Sequence, residues 1–336
     1  MKGTFPALET LELHNSSPTI ASARLPGTFK APNLRHLRLS DSTLGYWLLL
    51  SSATTIPTSL VSFSLGEVTF PPGLLIECLS LLPHLKSLNI GYLFPVEGTR
   101  DDAPDQADQQ VSAPLVLPNL EELQFQGVCN YFERLAAQIC APLLKKLSIT
   151  FSDGPSASGV GLHLSQLIDG APNLKFNFAR VRFKDGVSIV LDHNELWAGR
   201  GALELRFKMH LLILDQQIAL AAQVCDRLAS TLSTVQSLLL EYAEHPPQHC
   251  IDARWYEVLR HFDNVKTLRL AHCLVDDLGQ LLRPDDEGKV LTLLPRLQEI
   301  VCYGPDEGFS AFVEARRLAG RPVHIVSGPK NRLWLV

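Results

Sequence analysis

Pro118-Asn119-Leu120-Glu121-Glu122-Leu123-Gln124-Phe125 decides how this chain folds, because the phrase recurs along its length. Leu123 and Phe125 flank a single polar residue. In an extended strand they face one side while Gln124 faces the other. Close copies stand at 6–13, 32–39 and 83–90, and looser ones at 58–65, 142–149, 233–240, 263–270 and 295–302. Aligned on the second apolar residue, the anchors are Leu11, Leu37, Phe63, Leu88, Leu123, Leu147, Phe176, Leu205, Leu238, Leu268 and Ile300, spaced 24 to 35 residues apart. A large apolar residue, or once Cys302, follows two positions after each.

One strand with a single apolar side cannot bury itself, so copies at this spacing must stack into a continuous parallel sheet. The intervening segments read as helices. Asn130 with Glu133 has the spacing of a capping box, and Phe132, Leu135, Ala136 and Ile139 then share one helical face. Asp215 is placed to cap a helix burying Ile218, Ala221, Ala222, Cys225 and Leu228. Leu74–Leu82, Asp252–Phe262 and Phe309–Leu318 are further candidates. Strand then helix, repeated, predicts a curved solenoid with its sheet on the inner face.

These residues resemble leucine-rich-repeat proteins of the long-repeat, ribonuclease-inhibitor-like kind. Val265-x-x-Leu268-x-Leu270-x-x-Cys273, followed by Asp276 and Asp277, is similar to the cysteine-containing repeat of F-box/leucine-rich-repeat proteins. The phrase Ala-Pro-Asn-Leu at 31–34 and 171–174 is similar to fungal families of that type. The resemblance spans about residues 6 to 326. It implies an α/β horseshoe of about eleven to twelve repeats, with the parallel sheet concave and helices or irregular segments convex. It also implies a protein-binding role, as in the substrate-recognition part of an F-box-type ubiquitin ligase; ubiquitin-ligase components enter as partners through the resemblance alone. The F-box itself would precede the repeats, and the first repeat here starts at Pro6. An upstream domain lost by truncation or gene decay is one expectation; an exposed or paired first strand is the other.

The predicted organisation is a single repeat domain over 1–336. A polar loop insertion at 98–114 explains the longest spacing, and 305–336 forms a capping helix, strand and apolar tail. Of the 336 residues 46% are hydrophobic and 19% charged, which excludes general disorder. The net charge of −5, with Lys and Arg scattered along the sequence, disfavours a nucleic-acid partner. The N-terminus lacks the apolar core of a signal peptide, and no uncharged apolar run reaches membrane-spanning length. Seven cysteines without close pairs fit reduced thiols. The expectation is an intracellular protein, cytoplasmic or nuclear, that does not enter membranes.

Catalytic motifs are missing: there is no phosphate-cradling glycine loop, no Gly-x-Ser-x-Gly elbow and no His-Glu-x-x-His. His245, His249, Cys250, His261, His272 and Cys273 form the one metal-like cluster, but Pro246-Pro247 interrupt its best pair and Cys273 is a repeat position. The adjacent carboxylates Glu121–Glu122, Asp276–Asp277 and Asp285–Asp286 read as solvated surface, and Trp47, Trp255 and Tyr256 as packing residues. No catalytic residue, cofactor or metal is expected.

The partner would use the concave face, whose central row is the residue between each pair of apolar anchors. That row runs Glu12, Arg38, Ser64, Asn89, Gln124, Ser148, Asn177, Arg206, Leu239, Arg269 and Val301; the next row includes Lys208, Glu241, Ala271 and Tyr303. The predicted partner-binding residues are Arg206, Leu239, Arg269, Val301 and Tyr303, since Arg and Tyr are enriched at binding hot spots. The competing expectation is that the tail Leu333–Val336 covers this patch. A non-catalytic interaction module is the leading reading; a decayed gene product without independent activity and an enzyme are the alternatives.

Overall fold

Each close copy of the phrase becomes a strand in the structure, a computed structural model. It describes residues 4–14, 30–40, 57–68, 72–92, 114–152, 162–184, 186–193, 203–208, 214–242, 254–271, 274–282, 292–303 and 307–328. The chain is α/β and gathers into two compact units, one of Met1–Asp153 with Leu162–Leu174, the other of Gly154–Gly161 with Lys175–Val336.

The first unit holds β1 (Thr10–His14), β2 (His36–Ser40), β3 (Ser62–Val68), β4 (Ser87–Tyr92), β5 (Leu115–Val116), β6 (Glu122–Gly127), β7 (Ile139–Cys140) and β8 (Lys146–Phe151). Strands β5 and β7 pair only with each other; the other six run parallel in chain order. Their register follows the phrase. Leu11 lies opposite Leu37, then Phe63, Leu88, Leu123 and Leu147 in turn. The backbone repeats too. Arg35 and His36 donate to Glu9 O, Val61 and Ser62 to Arg35 O, Lys86 and Ser87 to Val61 O, and so on to Lys145 and Lys146 on Glu121 O.

The second residue of the phrase has its own task. Asn33 Nδ2 donates to Pro6 O at 2.7 Å and Asn119 Nδ2 to Pro83 O at 2.8 Å, each reaching the preceding copy. Ser59 Oγ does the same for Pro32 O at 3.0 Å. In the second unit Asn264 Nδ2 donates to Ser233 O. These side chains satisfy turn carbonyls that the strands leave over, stapling one copy to the next. Asn119→Ala should therefore lower stability by about 1 kcal/mol. A fall in the urea midpoint with unchanged slope checks this; an unmoved midpoint contradicts it.

Helices cover the apolar side. Helix Cys129–Ala136 buries Phe132, Leu135 and Ala136, and Ile139 is buried in β7. The expected capping box does not form: the N-cap is Val128, without a side-chain cap, and Asn130 lies inside the helix. The Glu133 carboxylate instead accepts the His163 backbone N–H at 2.9 Å, tying this helix to helix Leu162–Asp169. The long-range bond satisfies the start of a second helix and so replaces the local one.

The second unit holds β9 (Phe178–Phe183), β10 (Gly186–Asp192), β11 (Leu203–Lys208), β12 (Ser237–Tyr242), β13 (Thr267–Leu270), β14 (Glu299–Cys302) and β15 (His324–Ser327). Strands β9, β12, β13, β14 and β15 are parallel neighbours, and Ala179, Leu238, Leu268, Ile300 and Ile325 align across them. The hydrogen-bond signature of the first unit returns: Gln236 and Ser237 donate to Asn177 O, Lys266 and Thr267 to Gln236 O, Gln298 and Glu299 to Lys266 O.

Here the structure corrects the predicted alignment at two copies. The anchor of β9 is Ala179 rather than Phe176, and Asn177 precedes the strand. Strand β10 is antiparallel to both β9 and β11 and lies between them. A hairpin therefore interrupts the repeat, and Leu203, not Leu205, shares the anchor row through Leu191 and Ala179. Gly186, at φ +131°, turns the chain where a Cβ would be strained. Helix Leu214–Arg227 covers β9 and β10, burying Ile218, Ala221, Val224 and Cys225, while Ala222 stays half-buried. Helices Pro72–Ser80, Arg254–Leu259 and Ser310–Leu318 stand where helical spacing placed them. Of the predicted cap at 305–336, the helix and the strand β15 are present. The tail Leu333–Val336 and nearly all of the 98–114 insertion lie outside the described residues.

Candidate functional site

The exposed sheet face of the second unit is built from alternate residues whose neighbours point into the core. Along β9, Ala179, Val181 and Phe183 are buried while Arg180 and Arg182 face outward; along β11, Leu203, Leu205 and Phe207 are buried while Glu204, Arg206 and Lys208 face outward. Strand β10 presents Gly186, Ser188 and Val190 on the same side. Register then sets three rows. The first runs Glu204, Val190, Arg180, Leu239, Arg269, Val301, Val326. The second runs Arg206, Ser188, Arg182, Glu241, and the third pairs Lys208 with Gly186, beside Lys184.

The predicted contact residues divide accordingly. Leu239, Arg269 and Val301 do share a row. Arg206 does not: the inserted β10 moves it to the row of Arg182 and Glu241, and Glu204 takes the place expected for it. Leu239 is 1% exposed, so it is unavailable as a contact. Arg269 and Val301 are half-buried. Tyr303 follows β14 and is half-buried, with its ring against the backbone of Gly328, where an added Cβ would stand 2.5 Å from it. Gly328 N–H donates to Cys302 O at 2.8 Å, which holds that backbone in place.

What the sequence reading missed is the basic cluster on the hairpin. Arg180, Arg182, Lys184, Arg206 and Lys208 line a groove of about 370 Å³ with Glu204. Scattered in sequence, they converge because β9 and β11 flank β10. Two of the cations are engaged by carboxylates: Arg180 Nε donates to Glu241 Oε2 at 2.7 Å, and Arg206 Nε to Glu204 Oε1 at 2.7 Å. Glu241 is nearly buried and Arg180 about one-fifth exposed, so this pair is screened less than a surface one. The signal for the hairpin was present. Lys184-Asp185-Gly186 sits between Val181, Phe183 and Val187, Ile189, Leu191, and Asp-Gly between alternating apolar residues favours a tight hairpin.

The other candidates separate. Glu122 pairs with Lys146 at 2.9 Å across β6 and β8, and Glu121 with Lys145 at 2.8 Å one residue before the two strands. The Lys145 ammonium, hydrogen-bonded to it, holds the Glu121 carboxyl below its usual range, which suits a solvated ion pair rather than a proton donor at neutral pH. The side chains of Asp276 and Asp277, the pair Asp285–Asp286, and Trp47 lie outside the described residues. Trp255 is 1% exposed and meets Phe183 edge-on at 5.4 Å; Tyr256 is half-buried. Of the His/Cys cluster only His261 is described. Burial, and then Arg260, push its pKa down. Among the described residues no group of three or more His, Cys, Asp or Glu is placed to hold a metal. No described helix is long and apolar enough to cross a membrane.

Burial pushes the thiols of Cys78 and Cys225 up to about 12, leaving roughly a thousandfold less thiolate near pH 8 than an ordinary cysteine carries. Cys140 is half-buried. Alkylation of the native protein with iodoacetamide should label Cys140 well before Cys78 or Cys225. Early labelling of Cys225 on peptide mapping would contradict the packing under helix Leu214–Arg227.

No family model matches the chain, and no curated protein does either.

Proposed function

We propose that the chain is a leucine-rich-repeat interaction module, without catalysis of its own, that binds another protein on the exposed sheet face of its second unit. The observation that carries this reading is the arrangement of that face. Apolar anchors pack inward in register, while the residues between them form rows that mix charged groups such as Arg180 and Arg269 with apolar ones such as Val301. Binding constellations held on strands keep their geometry better than those held on loops. The register of phrase on phrase, interrupted in the second unit by the hairpin, supports the repeat assignment. A role as a ubiquitin-ligase substrate receptor rests on the sequence resemblance.

Affinity purification of the tagged chain from its own cells, set beside the double variant Arg269→Glu/Val301→Asp, tests the reading. One stoichiometric protein captured by the parent chain and lost from the variant is expected. Cullin-ligase components among the captured proteins would support the receptor role. Equal capture by both chains, or capture of nothing, overturns the proposed face.

A further inference from the structure

We propose that the hairpin groove of the second unit takes an extended, acidic segment of a partner protein; this rests on the interaction reading above and names the chemistry of the partner. The groove has a floor and two walls. Its floor is β10, whose outward residues Gly186, Ser188 and Val190 are small. Its walls are longer cationic side chains: Arg180 and Arg182 of β9 with Lys184 just after it on one side, Arg206 and Lys208 of β11 on the other. Strands two apart in a sheet stand roughly 9.5 Å from each other, which leaves room for one extended chain above β10.

Spacing matches such an occupant. Outward residues along a strand recur about every 6.7 Å, and so do alternate side chains of an extended peptide. A peptide with a carboxylate at every second position therefore meets the walls in step. Charge matches as well. The internal carboxylates Glu241 and Glu204 engage Arg180 and Arg206, while Arg182, Lys184 and Lys208 have no ion-pair partner among the described residues. Three cations thus remain to attract an anion on a chain whose net charge is −5.

A nucleic-acid strand fits less well. Single strands bind on exposed aromatic rings that stack bases, and the one ring among the groove residues, Phe207, is 1% exposed and turned into the core. The location supports the inference independently of charge: the groove exists only because the hairpin breaks the repeat, and departures from a regular pattern concentrate where function requires them.

Fluorescence anisotropy of the full chain tests this with a labelled peptide of alternating Glu and Ser, about twelve residues long. A matched Lys/Ser peptide and an oligothymidylate of similar length serve as comparisons. The acidic peptide should bind, and binding should weaken steeply between about 50 and 500 mM salt. The variant Arg182→Glu/Lys184→Glu/Lys208→Glu should lose affinity by roughly tenfold or more, whereas Arg317→Glu, on the helix Ser310–Leu318, should bind as the parent does. The milder Lys184→Gln/Lys208→Gln should give an intermediate loss, which keeps the test open if the triple variant misfolds.

Tighter binding of oligothymidylate than of the acidic peptide overturns the inference in favour of nucleic acid. Equal binding of the acidic peptide by parent and both groove variants, or no binding at low salt, overturns it outright. A protein captured from cells equally by parent and triple variant defeats the acidic segment but leaves the interaction reading standing. Peptide binding with nothing captured from cells defeats the interaction reading instead.

Discussion

Arg316→Met should cost about 3 kcal/mol of stability, the larger part of it from what the substitution leaves behind. Arg316 lies on helix Ser310–Leu318 and is 1% exposed. Its Nη2 donates to Leu294 O at 3.4 Å, Pro295 O at 3.3 Å and Leu297 O at 3.2 Å, and its guanidinium carbon stands 5.8 Å from the Phe312 ring centroid. The three carbonyls belong to the turn that launches β14. Leu294 adopts φ +48° there, a left-handed conformation that a leucine takes only when its surroundings impose it. Burial lowers the guanidinium pKa, with Arg321 adding to the effect, yet arginine stays charged in proteins. Methionine fills similar length but donates nothing, so all three carbonyls lose that bond. Lysine keeps the charge without the planar fork and should recover part of the loss. Urea unfolding of the three chains checks the order; a methionine variant as stable as the parent contradicts it.

Phe132→Ala should cost about 3–5 kcal/mol, the range for a buried aromatic replaced by a cavity. Phe132 is 0% exposed and packs at 5.1 Å from Phe125 and 5.9 Å from Phe151, which come from β6 and β8. It ties the helix to two strands that neighbour each other in the sheet. Phe132→Leu keeps most of the volume and should cost less than about 1.5 kcal/mol. Equal losses for the two substitutions would mean that the aromatic cluster does not contribute as described.

The strands were legible wherever the two-residue alternation stood alone. Leu11, Leu37, Phe63, Leu88, Leu123 and Leu147 fall opposite one another because a one-residue slip would turn each buried set to solvent. The same logic misled at Phe176 and Phe178. The sequence there satisfies the alternation in both frames, at Phe176 and Phe178 and again at Ala179 and Val181, and only pairing with β12 selects the second. Asn33, Asn119 and Asn264 recur in the phrase, but their bonds to the preceding copy needed the stacked backbones. Arg316 was illegible for a different reason. A charged residue on an amphipathic helix is ordinarily solvated, and only the convergence of Leu294, Pro295 and Leu297 carbonyls makes its burial tolerable. The basic groove was hidden in the same way, since Arg182 and Arg206 come together only through the antiparallel β10.

Site-specific photo-crosslinking in cells tests the proposed binding face most directly. A photoreactive phenylalanine analogue is placed at Ser188 or Val301 on the exposed sheet face, and at Arg260, just past helix Arg254–Leu259, or at Glu314 on helix Ser310–Leu318. Crosslinks to one partner from Ser188 and Val301, with none from Arg260 or Glu314, is the predicted result. Crosslinks from Arg260 or Glu314 with none from Ser188 or Val301 would contradict it.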